Sequence, residues 1–120
     1  MRYLCLIYSD ETAQARMSQE EMGALFGAYG AFTEELQAAG NMLAGEALQP
    51  TATATTVQLR NGKTLTTDGP FAETKEQLGG FYMIEAKDLD EAIEWAAKIP
   101  SAAIGSIEVR PIMEFGEHDH

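Results

Sequence analysis

Asp68-Gly69-Pro70-Phe71-Ala72-Glu73-Thr74-Lys75-Glu76-Gln77-Leu78-Gly79-Gly80-Phe81-Tyr82 places a turn, a charge cluster, a double glycine and the start of a strand in fifteen consecutive positions. Gly69 permits a positive φ and Pro70 fixes the next one, so the chain turns here. Gly79-Gly80 permits a bulge or a close backbone approach where the following strand begins. That strand is read over 80–86, with Phe81 and Met83 on one face and Tyr82 and Ile84 on the other.

Upstream, Thr56–Arg60 and Lys63–Thr67 flank Asn61-Gly62. Two β-compatible runs around Asn-Gly predict a hairpin, because a type I′ turn needs positive φ at both central residues. Further back, Tyr3–Tyr8 is a continuous apolar run, the pattern of a central strand buried on both faces. A polar connection to Met17 follows. Ser18 then opens a helix, with Glu21 completing a capping box. Met22, Leu25, Phe26, Tyr29, Phe32 and Leu36 give it one apolar face, and Gly40 stops it. Gly23, Gly27 and Gly30 form a small-residue stripe on its back, either a close-approach surface or a plain solvent face. Positions 41–48 read as an irregular strand interrupted at Gly45.

Downstream, Asp88 caps a second helix with Glu91 at its third position. Leu89, Ala92, Ile93, Ala96 and Ala97 line its inner face, and Pro100 ends it. The last strand, 106–112, alternates Ile107 and Val109 against Glu108 and Arg110, and Pro111 places it near an edge or a strand end. The order strand, helix, strand, hairpin, strand, helix, strand predicts an α+β fold: a ferredoxin-like protomer with an inserted β-hairpin. Both helices then lie on one face of an antiparallel sheet whose strands carry apolar residues on both sides. A homodimer that packs two such sheets face to face covers the second side.

The chain has 120 residues and reads as one domain, 1–120, whose last residues, 115–120, form a frayed tail. It carries 19 acidic against 8 basic residues, a net charge of −11. That charge repels nucleic acid and anionic membrane, so neither is expected as a partner. No apolar stretch approaches the ~20 residues of a membrane helix, and the apolar N-terminus is too short for a signal peptide core. A cytoplasmic protein is expected. The lone Cys5 sits in an apolar run and reads as a buried thiol.

Candidate site residues cluster in the opening stretch. Asp68 is either a turn aspartate bonded to nearby amides or a carboxylate held for proton transfer or ligand orientation. Glu73 is a second candidate base, and Lys75 a candidate anion binder, unless both lie on a solvated surface. Phe71 and Tyr82 are candidate pocket walls, although a tyrosine in such a strand is commonly core. Arg110 either pairs with Glu108 or holds a ligand carboxylate bidentately. The histidines, His118 and His120, lie in the tail, so Ser-His-Asp and Cys-His catalysis are not expected. No cofactor and no metal site are expected.

The stretch Asp68–Tyr82 resembles the signature of DGPF-domain proteins, a branch of the YciI-related (YCII) family. Tyr3–Tyr8, Ala44–Pro50 and Ile107–Pro111 are similar to that branch too, so the resemblance spans essentially the whole chain. It implies a dimeric α+β barrel built on a ferredoxin-like protomer, similar in fold to muconolactone isomerase. Some members of the branch are encoded beside extracytoplasmic-function sigma factors. YciI-type relatives are proposed to use a His-Asp pair in the dimer cleft. This chain has no histidine in its body, so that chemistry does not carry over, whereas Asp68 does as a cleft residue.

Two functions of different class follow. One is a small-molecule enzyme of acid/base isomerase or lyase type, in which Asp68 moves a proton, Glu73 assists, and Lys75 or Arg110 holds a small anionic substrate. The other is a ligand-sensing or protein-interaction module without catalysis, linked to sigma-factor regulation. A purely structural dimer is the bland third reading.

Overall fold

The computed structural model describes residues 1–115. The elements run β1 (Arg2–Ser9), α1 (Glu11–Ala15), α2 (Gln19–Ala38), β2 (Met42–Ala47), β3 (Thr55–Arg60), β4 (Lys63–Asp68), β5 (Gln77–Glu85), α3 (Leu89–Lys98) and β6 (Ser106–Pro111). Short 3₁₀ turns at Thr51–Thr53 and Pro100–Ala103 lie between them. Four strands form one sheet in the order β2-β5-β1-β6, every neighbouring pair antiparallel. This is a mixed α+β fold, consistent with a ferredoxin-like arrangement. β3 and β4 pair only with each other, in a separate two-stranded sheet.

Local chemistry explains the boundaries. The Ser18 hydroxyl accepts from the Glu21 amide at 3.0 Å, and the Glu21 carboxylate accepts from the Ser18 amide at 2.8 Å, so the capping box closes. Asp88 accepts from the Glu91 amide at 2.9 Å. Asn61 and Gly62 both have positive φ, 53° and 75°, as the turn between β3 and β4 requires. α1 lies inside the stretch read from sequence as a polar connection: Asp10 accepts from the Thr12 and Ala13 amides and starts a helical turn there. β5 begins three residues before the expected Gly80, because Gln77 and Leu78 already pair with Ser9 and Tyr8.

The core lies between the sheet and α2 and α3. Tyr3, Cys5 and Ile7 of β1 meet Tyr82 and Ile84 of β5, Phe32 and Leu36 of α2, and Ala92 and Ala96 of α3. The apolar faces of the helices differ from expectation. On α2 only Phe32 and Leu36 are buried, and Phe26 is exposed. On α3 the covered side is Ala92, Trp95, Ala96 and the following Ile99, while Leu89 and Ile93 are about half exposed. Among the described residues nothing comes within 4 Å of a Cβ placed on Gly23, Gly27 or Gly30.

No helix or strand of the described residues covers the other side of the sheet, whose apolar residues are half-buried. Leu4, Leu6 and Tyr8 alternate with the buried residues of β1, and their cross-strand neighbours Met83, Phe81 and Leu78 continue the apolar surface onto β5. Glu108 and Arg110 of β6 and Glu46 of β2 border it. The described chain is accordingly a slab of 50 × 47 × 18 Å with a radius of gyration of 16.7 Å. A compact chain of this length has a radius near 13.5 Å. No helix of the described residues is long and apolar enough to cross a membrane.

Candidate functional site

At one end of the sheet the last residues of β1 meet the first residues of β5 and β6: Ser9 faces Gln77, and Tyr8 faces both Leu78 and Ser106. The double glycine serves this junction. The register slips between Ile7 and Tyr8, leaving Gly79 as the extra residue of a bulge. At Gly80 a Cβ would stand 2.7 Å from the Glu46 carbonyl oxygen, so β2 reaches β5 only because the side chain is absent.

The connection 69–76 hangs from this end and is tied at its rear. The Glu11 amide donates to the Gln77 side-chain oxygen at 2.9 Å, and the Gln77 amide nitrogen donates to the Thr74 carbonyl at 2.6 Å. Ser106 donates to the Glu76 carboxylate at 2.9 Å. The Glu11 carboxylate in turn accepts from the Thr51 amide and hydroxyl at 2.9 and 2.7 Å, fixing the neighbouring 50–54 loop. Glu11, Thr51, Glu76 and Gln77 are thus the framework of this region. The sequence signal for them is weak, since only Glu76 and Gln77 fall within the signature stretch.

The front of the connection is a rigid turn. Gly69 sits at φ 102°, its amide donates to the Ala54 carbonyl at 2.7 Å, and its carbonyl accepts from Thr56 at 2.9 Å. Asp68, the last residue of β4, precedes it and is exposed. Its carboxylate accepts no hydrogen bond among the described residues, so Thr56 and the backbone hold the turn without it. Phe71 is 82% exposed, and Glu73 and Lys75 are exposed beside it.

The remaining two candidates stand elsewhere. Arg110 lies on the uncovered sheet face and pairs with Glu108, its Nε donating to the carboxylate at 3.1 Å. That hydrogen bond raises the guanidinium pKa. Tyr82 is opposite Phe81, as strand parity requires, and its side is the helix-covered one. It is 8% exposed, its hydroxyl is 2.7 Å from the Thr33 hydroxyl, and its ring meets Phe32 edge-on at 5.1 Å. In one copy of the chain, then, Phe71, Glu73 and Lys75 share the connection that Asp68 leads into, Arg110 is on the sheet face and Tyr82 is in the core. Two surface depressions of about 280 and 510 Å³, beside α3 and between α2 and α3, include none of the six. No cluster of three metal-ligating side chains occurs among the described residues, and the His118-Asp119-His120 segment lies outside them.

The buried Cys5 thiol has its pKa pushed up to about 11 by burial, which makes it a core group and not a nucleophile.

Comparison with known proteins agrees with this picture of the fold. The chain is 40% identical over 114 residues to an uncharacterised protein of Rhizobium meliloti (strain 1021), covering 93% of this chain and 92% of the relative. Among solved structures, it is similar to the 5-chloro-2-hydroxyhydroquinone dehydrochlorinase TftG from Burkholderia phenoliruptrix AC1100, in complex with 2,5-dihydroxybenzoquinone. That likeness has a TM-score of 0.53, 19% identity and full coverage of both chains. Residues 1–116 match the YCII-related domain, and the chain belongs to that family.

Proposed function

We propose that two copies of this chain close their bare sheet faces into a dimeric α+β barrel of the DGPF type, and that the cleft so formed takes a small anionic ligand. In this reading Asp68 is the proton-transferring carboxylate of an isomerase- or lyase-type reaction and Glu73 assists it. Lys75 and Arg110 hold the anion, Arg110 exchanging Glu108 for a ligand carboxylate. Phe71 walls the cleft. Tyr82 acts from behind, by bracing β5 against α2.

One observation carries the proposal: an unengaged carboxylate on a hydrogen-bonded turn leads into a sheet whose apolar face no helix or strand of the described residues covers. The fold of TftG adds a ligand chemistry to try first, hydroxylated aromatic rings. The strong negative charge makes nucleic acid and anionic membrane unfavourable partners and fits a protein of the cytoplasm.

The test is calorimetric binding of hydroxylated aromatic and small carboxylate ligands, followed by proton NMR of ligand C–H exchange in deuterated water. Asp68→Asn is expected to keep the fold, because the side chain is exposed, and to lose exchange at least a hundredfold. Wild-type exchange in Asp68→Asn overturns the catalytic role. Binding without any exchange in the wild type favours the second reading, a ligand-sensing or protein-interaction module tied to sigma-factor regulation. The high exposure of Phe71, Glu73 and Lys75 is the observation on that side.

A further inference from the structure

We infer that the β3–β4 ribbon is an exchanged arm, which lies against a second copy of this chain and carries its Asp68–Phe71 turn into that copy's cleft. The inference rests on the dimer proposed above and adds which chain supplies the turn to which site.

Among the described residues the ribbon has no packing partner. Its strands share no ladder with the four-stranded sheet, and a lone two-stranded hairpin is only marginally stable in water. Yet it carries apolar side chains outward. Val57 and Leu59 stand on one face, opposite Thr66 and Thr64, and are 62% and 65% exposed. An arm with a bare apolar face needs a surface to lie on.

Area favours a second copy as that surface. Four strands spaced about 4.8 Å apart and six residues long at about 3.4 Å each give the open sheet face a footprint of about 400 Å². A stable interface takes about 800 Å² from each partner. The sheet face is about half of that in plan, one face of the ribbon brings the plan area to about 600 Å², and side-chain relief adds to both. Charge points the same way. Two copies at −11 repel each other, and the ribbon tip carries Arg60 and Lys63, two of the 8 basic residues in the chain. These two stand on the ribbon face opposite Val57 and Leu59, so they offset part of that repulsion through space and not by direct contact.

The link to the site is covalent. β4 runs unbroken into Asp68, and Gly69 is tied back to Ala54 at the base of the same ribbon. Wherever the arm docks, the Asp68–Phe71 turn goes with it. This also accounts for the isolation of these residues from Arg110 in a single copy.

The experiment uses sedimentation equilibrium on the full chain, with circular dichroism to verify the fold. Val57→Lys/Leu59→Lys is expected to weaken dimerisation at least tenfold with an unchanged spectrum. Val57→Ser/Leu59→Ser, a milder pair, should weaken it by less in the same direction. Phe81→Lys tests the sheet face separately. In dimers mixed from light and ¹⁵N-labelled chains, amine-to-carboxyl cross-links from Lys63 should join light to heavy peptides. An arm variant that dimerises like wild type, or Lys63 cross-links confined to one chain, overturns the exchange. If Phe81→Lys is then monomeric, the face-to-face dimer survives without the arm. If the arm variant is weakened and Phe81→Lys is not, the arm contact stands and the sheet-face dimer falls. A monomeric wild type overturns both.

Discussion

Replacing Tyr82 by phenylalanine separates a core role from a ligand-binding one. The hydroxyl lies 2.7 Å from Thr33, the ring packs on Phe32, and the ring edge lies over Gly45, where a Cβ would be 2.9 Å from it. Tyr82→Phe keeps every ring contact and removes one neutral hydrogen bond. Thr33 is half-buried, so water reaches its hydroxyl, and the cost is about 0.5–1.5 kcal/mol. Unfolding entropy near 2.1 cal/mol/K per residue gives about 250 cal/mol/K for this chain, so about 1 kcal/mol lowers Tm by about 4 °C. Differential scanning calorimetry reads that shift. Adding Thr33→Val should cost less than the sum of the two single changes, because both partners are then gone together. Calorimetric titration of any ligand found for the cleft should be unchanged in Tyr82→Phe. A variant that melts like wild type and loses ligand affinity refutes the argument and returns Tyr82 to the site.

Other substitutions probe other links. Leu36 of α2 is fully buried against the sheet, so Leu36→Ala should cost about 2–5 kcal/mol in urea titration. Gly80→Ala pushes a methyl into the Glu46 carbonyl and should cost about 1–3 kcal/mol, with faster amide exchange along β2. Glu11→Ala removes the acceptor of the Thr51 amide, which should lose exchange protection while the core retains it. Cys5 holds its proton in the folded state up to about pH 11, whereas an unfolded thiol releases it near 9.0. Its contribution to stability is therefore whole below pH 9 and declines above it, by at most about 1.4 kcal/mol per pH unit until the folded thiol also ionises. Cys5→Ala should flatten that alkaline slope.

Much of the fold was legible because its signals are local. Ser18 with Glu21, Asn61 with Gly62, Asp88 with Glu91 and the alternation along Phe81–Ile84 each depend on a few neighbouring residues, and each is found in place. Which side of the sheet the helices cover was not legible, because β1 and β5 are apolar on both faces. That ambiguity leaves Tyr82 open, from sequence, to a pocket wall as well as to the core. The half-used face of α2 was equally hidden: Phe26 and Phe32 carry the same periodic signal, yet only Phe32 lies over the sheet. Of the site, the turn geometry at Gly69 could be anticipated from Asp-Gly-Pro, whereas the Glu11–Thr51 and Glu76–Ser106 ties span distances in sequence that no local pattern encodes.

The middle position of β1 in its sheet has a consequence for synthesis on the ribosome. Leu6 faces Phe81 on one flank and Glu108 on the other. At roughly 5–20 residues per second, this greasy segment waits several seconds for its first neighbour and longer for its second. A nascent chain stalled before β6 is therefore expected to recruit chaperones or clump, and slowing translation through the 70s should lower the soluble yield more than slowing it near the start.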